Sequence, residues 1–383
     1  MNTFLPYGHQ WVDEADIQAV TEVMRSDWLT QGPKVQEFEE KLANYFGAKY
    51  AVTFSSGTCA LHAAYFAAGL KKGEGVITTP ITFVATANAA LFLGAEVDFV
   101  DIEPETANIN VSLIEEKITT KTKVIAPVDF AGQPVDLDEI RAVAKKHNLI
   151  VIEDACHAIG SLYKGKKIGG LSDLTVFSFH PVKNMTTGEG GAVLTNSSNF
   201  YEKLSMFRNH GITRQPEKMK DSPGPWYYEM HYLGNNYRLT DMQCALGLSQ
   251  LRKLTSFINR RREIMERYNR VFQGMEEIKP LKEKNDRLSA WHIYVIKLNL
   301  EKIYKTRQEI FNELRNKGIG VQIHYIPVYW QPYYQQIGFK KGICPNAEWY
   351  YERALTLPLF PAMTDKDAER VVDTVRKIVQ AKK

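Results

Sequence analysis

The chain has 383 residues, 44% hydrophobic and 24% charged, enough for one large core and a second, smaller domain. Its net charge of +4 is mild and its basic residues are dispersed apart from Arg260, Arg261 and Arg262, which argues against a nucleic-acid partner. No basic start precedes an apolar block, and no run approaches the roughly 18 apolar residues that span a bilayer, so a soluble, cytoplasmic protein without a membrane partner is expected. Cys59, Cys156, Cys244 and Cys344 stand far apart, without a CxxC or Cys/His cluster. This pattern supports neither a disulfide framework nor a metal site, and the four are read as core fillers.

In chain order, Asp13 caps a helix with Ile17, Val20, Val23 and Met24 on one face, and LTQGP, residues 29–33, ends it. A second helix turns Val35, Phe38, Leu42 and Phe46 inward. The strand YAVTF leads into SSGTCALHAAYFAAG, a helix of small residues whose start can hold a phosphate on free amides or be a plain capping turn. Strand and helix then alternate: GVITTP, TFVATANAALFLG, VDFVDI, SLIEEKI, KVIAPVDF, LDEIRAVAKKHN and LIVIEDA. Such alternation predicts an α/β domain whose mainly parallel sheet is covered on both faces, with ligands at the carboxyl ends of its strands. Asp154 stands at one such end, as a ligand contact or a turn cap, with His157 three positions on.

The stretch VFSFHPVKNMTTGEGGAVLTN, residues 176–196, sets Lys183 in a loop between two short strands. It is either an ordinary surface lysine or one desolvated by its surroundings. Desolvation lowers an amine's pKa from about 10.4 and frees it for Schiff-base chemistry. Residues 213–229 then read as an excursion or lid, a helix starts near Thr240, and a long charged helix leads to a smaller α/β unit. That unit contains the strands WHIYVIKL and GVQIHYIPV, a helix around residues 348–354 and a last helix after Thr364. The expected division is 1–250 and 251–383.

The blocks SSGT, TFVATANA, EDACHAIG, SFHPVKNMTTGEGGAVLTN and GNNYRL, in this order and spacing, resemble the DegT/DnrJ/EryC1/StrS family of pyridoxal-phosphate sugar aminotransferases, from about Pro6 to the C-terminal helix. The resemblance implies an aspartate-aminotransferase-like large domain of fold type I, and pyridoxal 5'-phosphate as cofactor. It implies that Lys183 forms the Schiff base and moves the proton, and that Asp154 pairs the pyridine nitrogen. Gly57, Thr58 and Ser178 would hold the phosphate, joined from a partner subunit by Asn236, so a homodimer with shared sites is implied. Phe83 would lie on the ring face, or be a core aromatic. His157, where many members have glutamine, would touch the ring hydroxyl or fill space.

LTQGP, ITTPITFVATANA, VDFAGQP and VQIHYIPVY are similar to the branch of the family that aminates C4 of a UDP-linked 4-keto-6-deoxy-N-acetylhexosamine in pseudaminic acid formation. By that similarity Tyr7, Trp28, Leu29, Thr30, Ser178, Asn236, His324 and Tyr325 would contact the sugar nucleotide, with L-glutamate as donor. Packing roles for Tyr7, Trp28 and His324 are the alternative. Amination of another nucleotide-linked 3-keto or 4-keto sugar, or cofactor binding without turnover, are the competing functions.

Overall fold

Seven short apolar runs form the centre of the molecule, whose computed structural model describes residues 4–381. They are β1 (Tyr50–Phe54), β2 (Gly75–Thr78), β3 (Glu96–Phe99), β4 (Thr122–Ala126), β5 (Ile150–Asp154), β6 (Leu174–Ser178) and β7 (Gly191–Thr195). Their order across the sheet is β1-β7-β6-β5-β4-β2-β3. Only β7 runs against its neighbours; the other four pairings are parallel. Alternate side chains go to opposite faces, as a period of two requires. Val52, Val76, Val124, Ile152 and Val176 meet the helix Gly57–Ala67 and its neighbour Ala85–Leu91. Ala51, Ile77, Ile125, Val151 and Phe177 meet Phe38, Ile140 and Leu248 on the other side. With both faces covered, the strands read as continuous apolar runs.

The carboxyl ends of β1, β2, β4, β5 and β6 therefore share one edge. There the chain leaves as Ser55–Thr58, Thr82–Thr86, Val128, Asp154 and Ser178, and all of these border one cavity. A second, antiparallel sheet of β8 (Ile278–Pro280), β9 (Tyr294–Leu298) and β10 (Ala354–Leu357) builds the core of the C-terminal region.

One helix, Asp241–Phe272, joins the two sheets. The helix expected near Thr240 and the charged helix after it are this single element, capped by a reciprocal Thr240 and Gln243 box. Leu248 to Ile258 pack in the large core and Ile264 to Phe272 in the small one. The expected break after residue 250 thus falls inside an unbroken helix.

Two local expectations fail. GVQIHYIPV is no strand; one isolated bridge joins Gln322 to Thr356, because His324 and Tyr325 turn into the cavity instead of continuing a ladder. The helix expected around residues 348–354 forms as Pro345–Arg353, with β10 starting at Ala354. In the first helix, Glu14–Met24, Ile17 and Met24 are exposed, and the buried positions are Val23 and Asp16, the latter bonded to Gln250 and Lys253. Of the cysteines, Cys244 and Cys344 are buried, whereas Cys59 and Cys156 are only partly so.

Behind Asp154 lies a buried acid pair. Glu153 accepts from Ser172 (2.9 Å) and Thr175 (3.0 Å), and Asp129 accepts from the Val135 amide (2.9 Å). Burial, then the charge of Glu153, pushes the Asp129 pKa well above the carboxylate range. The folded state therefore holds this proton more tightly than the unfolded chain, and stability falls as pH rises from about 4 toward the folded value. Asp129→Asn is expected to flatten that slope. Urea midpoints at pH 5 and pH 8 should separate more in the parent protein than in the variant; equal separations would refute the raised Asp129 pKa.

Candidate active site

A cavity of about 530 Å³ opens at the carboxyl edge of the large sheet, within the size range of small-molecule sites. Asp154 ends β5 against its wall, 5% exposed. Its Oδ2 accepts from the Thr86 hydroxyl at 2.7 Å and its Oδ1 from the Cys156 amide at 3.2 Å. Both donors are neutral, so this buried carboxylate is oriented but not neutralised, and it remains available to a cationic partner in the cavity.

On the β1 side, Ser56 caps the helix Gly57–Ala67 by accepting from the Cys59 amide at 3.1 Å. The amides of Gly57 and Thr58 are left without partners inside the helix. Ser178, at the end of β6, stands against them: a Cβ added at Gly57 would lie 2.9 Å from the Ser178 Cβ. Two amides, the positive end of an 11-residue helix and one or two hydroxyls thus converge on a space shaped for an anion.

Lys183 enters from the loop between β6 and β7. Enclosure of its amine lowers its pKa from the usual value by desolvation, partly offset by Cys156 and Asp154. Four imidazoles, His157, His180, His292 and His324, line the cavity with it, and all but His180 are buried. His157, with Nε2 3.2 Å from the Tyr325 hydroxyl, and His292 are held well below the usual histidine value by burial and then by the Lys183 charge. His324, with Nδ1 2.8 Å from Thr356 Oγ1, is lowered to about 3 by the same two causes. Beside these neutral rings stands the Asp154 carboxylate, which offsets part of the desolvation of the lysine. An unprotonated fraction of its amine at neutral pH can attack an aldehyde or take up a proton.

The structure brings Tyr7, Gly57, Thr58, Phe83, Asp154, His157, Ser178, Lys183, His324 and Tyr325 to this one space. Phe83 is 59% exposed, so it stands over the cavity and is no core aromatic; its ring centre lies 6.3 Å from that of Tyr325. Tyr7 packs on His324 at 5.3 Å. Trp28, Leu29, Thr30 and Asn236 do not border the cavity and are exposed. The first three sit on a turn pinned to Asp241, which accepts from the amides of Gly32 (2.8 Å) and Lys34 (2.9 Å). Asn236 bridges to Asn209 beside the Ser55 loop. The segment 215–229 stays clear of the cavity, and Trp226 is exposed on it.

Sequence reasoning missed Thr86, Cys156 and His292 as cavity residues. Thr82 and Thr86 carried a usable signal, two hydroxyls four positions apart in an otherwise apolar segment; they lie 2.8 Å from one another. His292, inside the apolar run WHIYVI, carried another.

The profile of the DegT/DnrJ/EryC1/StrS aminotransferase family matches residues 10–376. Spore coat polysaccharide biosynthesis protein SpsC of Bacillus subtilis is 42% identical over 99% of this chain and 98% of its own. The UDP-4-amino-4,6-dideoxy-N-acetyl-beta-L-altrosamine transaminase of Campylobacter jejuni is 42% identical over 98% of both chains. Among solved structures, Helicobacter pylori PseC, an aminotransferase involved in the biosynthesis of pseudoaminic acid, superposes with a TM-score of 0.92 at 35% identity. That match covers 99% of this chain and 100% of the other.

Proposed function

The chain belongs to the DegT/DnrJ/EryC1/StrS aminotransferase family, with pyridoxal 5'-phosphate as cofactor, and we propose that it transfers the amino group of L-glutamate to C4 of a UDP-linked 4-keto-6-deoxy-N-acetylhexosamine. The observation that carries the reading is the convergence of an uncharged-capable lysine, an oriented buried carboxylate and an anion-shaped helix start on one cavity. These are the three contacts the cofactor's aldehyde, pyridine nitrogen and phosphate require, so the residues fit it. The relatives from Campylobacter jejuni and Helicobacter pylori support the sugar.

When bound, the cofactor supplies an aldehyde that condenses with amines and a ring that accepts an electron pair. Asp154 would pair the ring nitrogen through a charge-assisted hydrogen bond. Gly57, Thr58 and Ser178 would hold the phosphate, and Phe83 would cover one ring face. Lys183 would be the acid-base group that takes the proton from the donor's α-carbon and returns one to the sugar. His157, its Nδ1 buried without a partner, is placed for the ring hydroxyl. Tyr7, His324 and Tyr325 wall the space left for the acceptor. Trp28, Leu29, Thr30 and Asn236, exposed and outside the cavity of their own chain, serve the site of a second copy in a homodimer.

Adding L-glutamate to the purified holoenzyme should convert the cofactor's absorption band to that of the amine form, and the UDP-4-keto sugar should restore it. No change with glutamate would overturn the aminotransferase reading; conversion without restoration would overturn the sugar. SpsC, equally identical to this chain, favours a second reading, amination of another nucleotide-linked keto sugar, which a panel of 3-keto and 4-keto substrates separates. Gly57→Ala should weaken cofactor retention on dialysis about tenfold or more, because the added methyl intrudes on Ser178 where the phosphate is held.

A further inference from the structure

Among the described residues no acid pairs with Arg261, a buried cation. It lies on the helix Asp241–Phe272, 1% exposed. Its Nη1 donates to the carbonyls of Leu359 (2.7 Å), His292 (3.0 Å) and Trp291 (3.4 Å), and its Nε has no partner. Its neighbours on the same helix do find acids, Arg260 in Asp365 and Glu263 and Arg262 in Glu283. Burying an uncompensated guanidinium is costly, so the carbonyls it holds should matter. All three lie on the cavity's supports. His292 borders the cavity, and the Leu359 amide donates to the carbonyl of Tyr7, another lining residue, at 3.0 Å.

The segment that Arg261 grips is strained. Trp291 has φ +43°, a left-handed conformation that a bulky residue rarely adopts and that concentrates at functional sites. The surrounding backbone fixes it there. Ala290 donates to the Gly132 carbonyl (3.2 Å), and His292 to the Ala131 carbonyl (3.0 Å). A side chain on Gly132, itself at φ +98°, would come within 2.9 Å of the Trp291 nitrogen.

What the strained crossing delivers is the His292 ring. It is 5% exposed, its Nδ1 is buried without a partner, and its centre is 4.5 Å from that of His157. Lys183, His157, Arg261 and His324 act on its charge, and the Asp154 and Glu189 carboxylates line the same cavity. A neutral imidazole in this place can exchange a hydrogen bond with an amine without fixing it as an ammonium.

We propose that His292 is a further positioning residue of the amino-transfer site, a neutral imidazole locked by Arg261 and the Trp291 crossing so that it orients the free amine of Lys183. The proposal rests on the aminotransferase reading, and its test has two arms. In cofactor-free protein, the pH midpoint for labelling Lys183 with an amine-reactive reagent, read by peptide mass spectrometry, should rise by about one unit or more in His292→Glu and stay in place in His292→Gln. In the holoenzyme, His292→Ala should slow conversion of the cofactor band by glutamate about 30-fold, with recovery to within about 5-fold in His292→Gln. Arg261→Met should slow it about 10-fold alone and add nothing to His292→Ala, because coupled residues are not additive. An unmoved labelling midpoint in His292→Glu, or a parental conversion rate in His292→Ala, overturns the role of His292. Additive losses overturn the Arg261 link. If the parental holoenzyme itself ignores glutamate, the aminotransferase reading falls instead and the labelling arm alone decides for His292. If Arg261→Met does not fold, the His292 variants decide the proposal.

Discussion

Replacing Lys183 by alanine is expected to lower the glutamate-driven conversion of the cofactor band by about 10⁴-fold or more, since a positioned acid-base group alone contributes about 10² to 10⁴ and the covalent anchor is lost with it. The amine is enclosed, and desolvation lowers its pKa, so the neutral form that attacks an aldehyde and accepts a proton is more populated than on a free lysine. Lys183→Arg separates this role from simple charge. Arginine keeps the cation but does not lose its proton in the working pH range, so it should be as inactive as alanine. Rescue by arginine would mean that Lys183 serves only as a charge. Borohydride should join the cofactor to the parental chain at residue 183 and to neither variant. The Lys183→Ala chain should keep its urea midpoint or gain slightly, because a desolvated amine has been removed from the interior.

Asp154→Asn carries the second largest expected effect, roughly a 10³-fold loss of kcat, the scale seen when one charge-stabilising contact is removed from a water-poor site. The side chain's supports survive the change. An asparagine can still accept from the Cys156 amide, and the Thr86 hydroxyl, 2.7 Å from Oδ2, can turn from donor to acceptor. What disappears is the negative charge that would face the pyridine nitrogen, and with it the preference for a protonated ring. Cofactor content and borohydride linkage at Lys183 should therefore stay near parental levels while turnover falls. A variant that turns over at the parental rate would remove Asp154 from the ring-pairing role.

Most of the large domain is legible in the chain because its signals are local. Alternating strands and amphipathic helices announce a covered parallel sheet, and a sheet of that kind has one edge where strand ends gather. Asp154 could be placed on that edge from sequence, at the end of an apolar run, whereas Ser178 was named only through the family resemblance. The glycine turns flanking Lys183 marked its loop. The C-terminal region was less legible. GVQIHYIPV has the composition of a strand, yet His324 and Tyr325 leave the ladder for Thr356 and His157, a tertiary preference that overrides β-propensity. The amphipathic face of the first helix misled for a related reason: Asp16 is buried by Lys253 and Gln250, more than 230 positions away, so Ile17 and Met24 point outward.

By itself the sequence determined the alternating α/β architecture, the family and the lysine, because hydrophobic period and ordered short blocks depend on near neighbours along the chain. The tertiary structure alone decided the environment of that lysine. The buried rings of His157, His292 and His324 meet around it, an arginine with no acid partner among the described residues grips the wall behind one of them, and Trp28, Leu29, Thr30 and Asn236 stay outside the cavity of their own chain. Each of these depends on which distant segments come together, and desolvation, the force that sets the charge states here, exists only once they have.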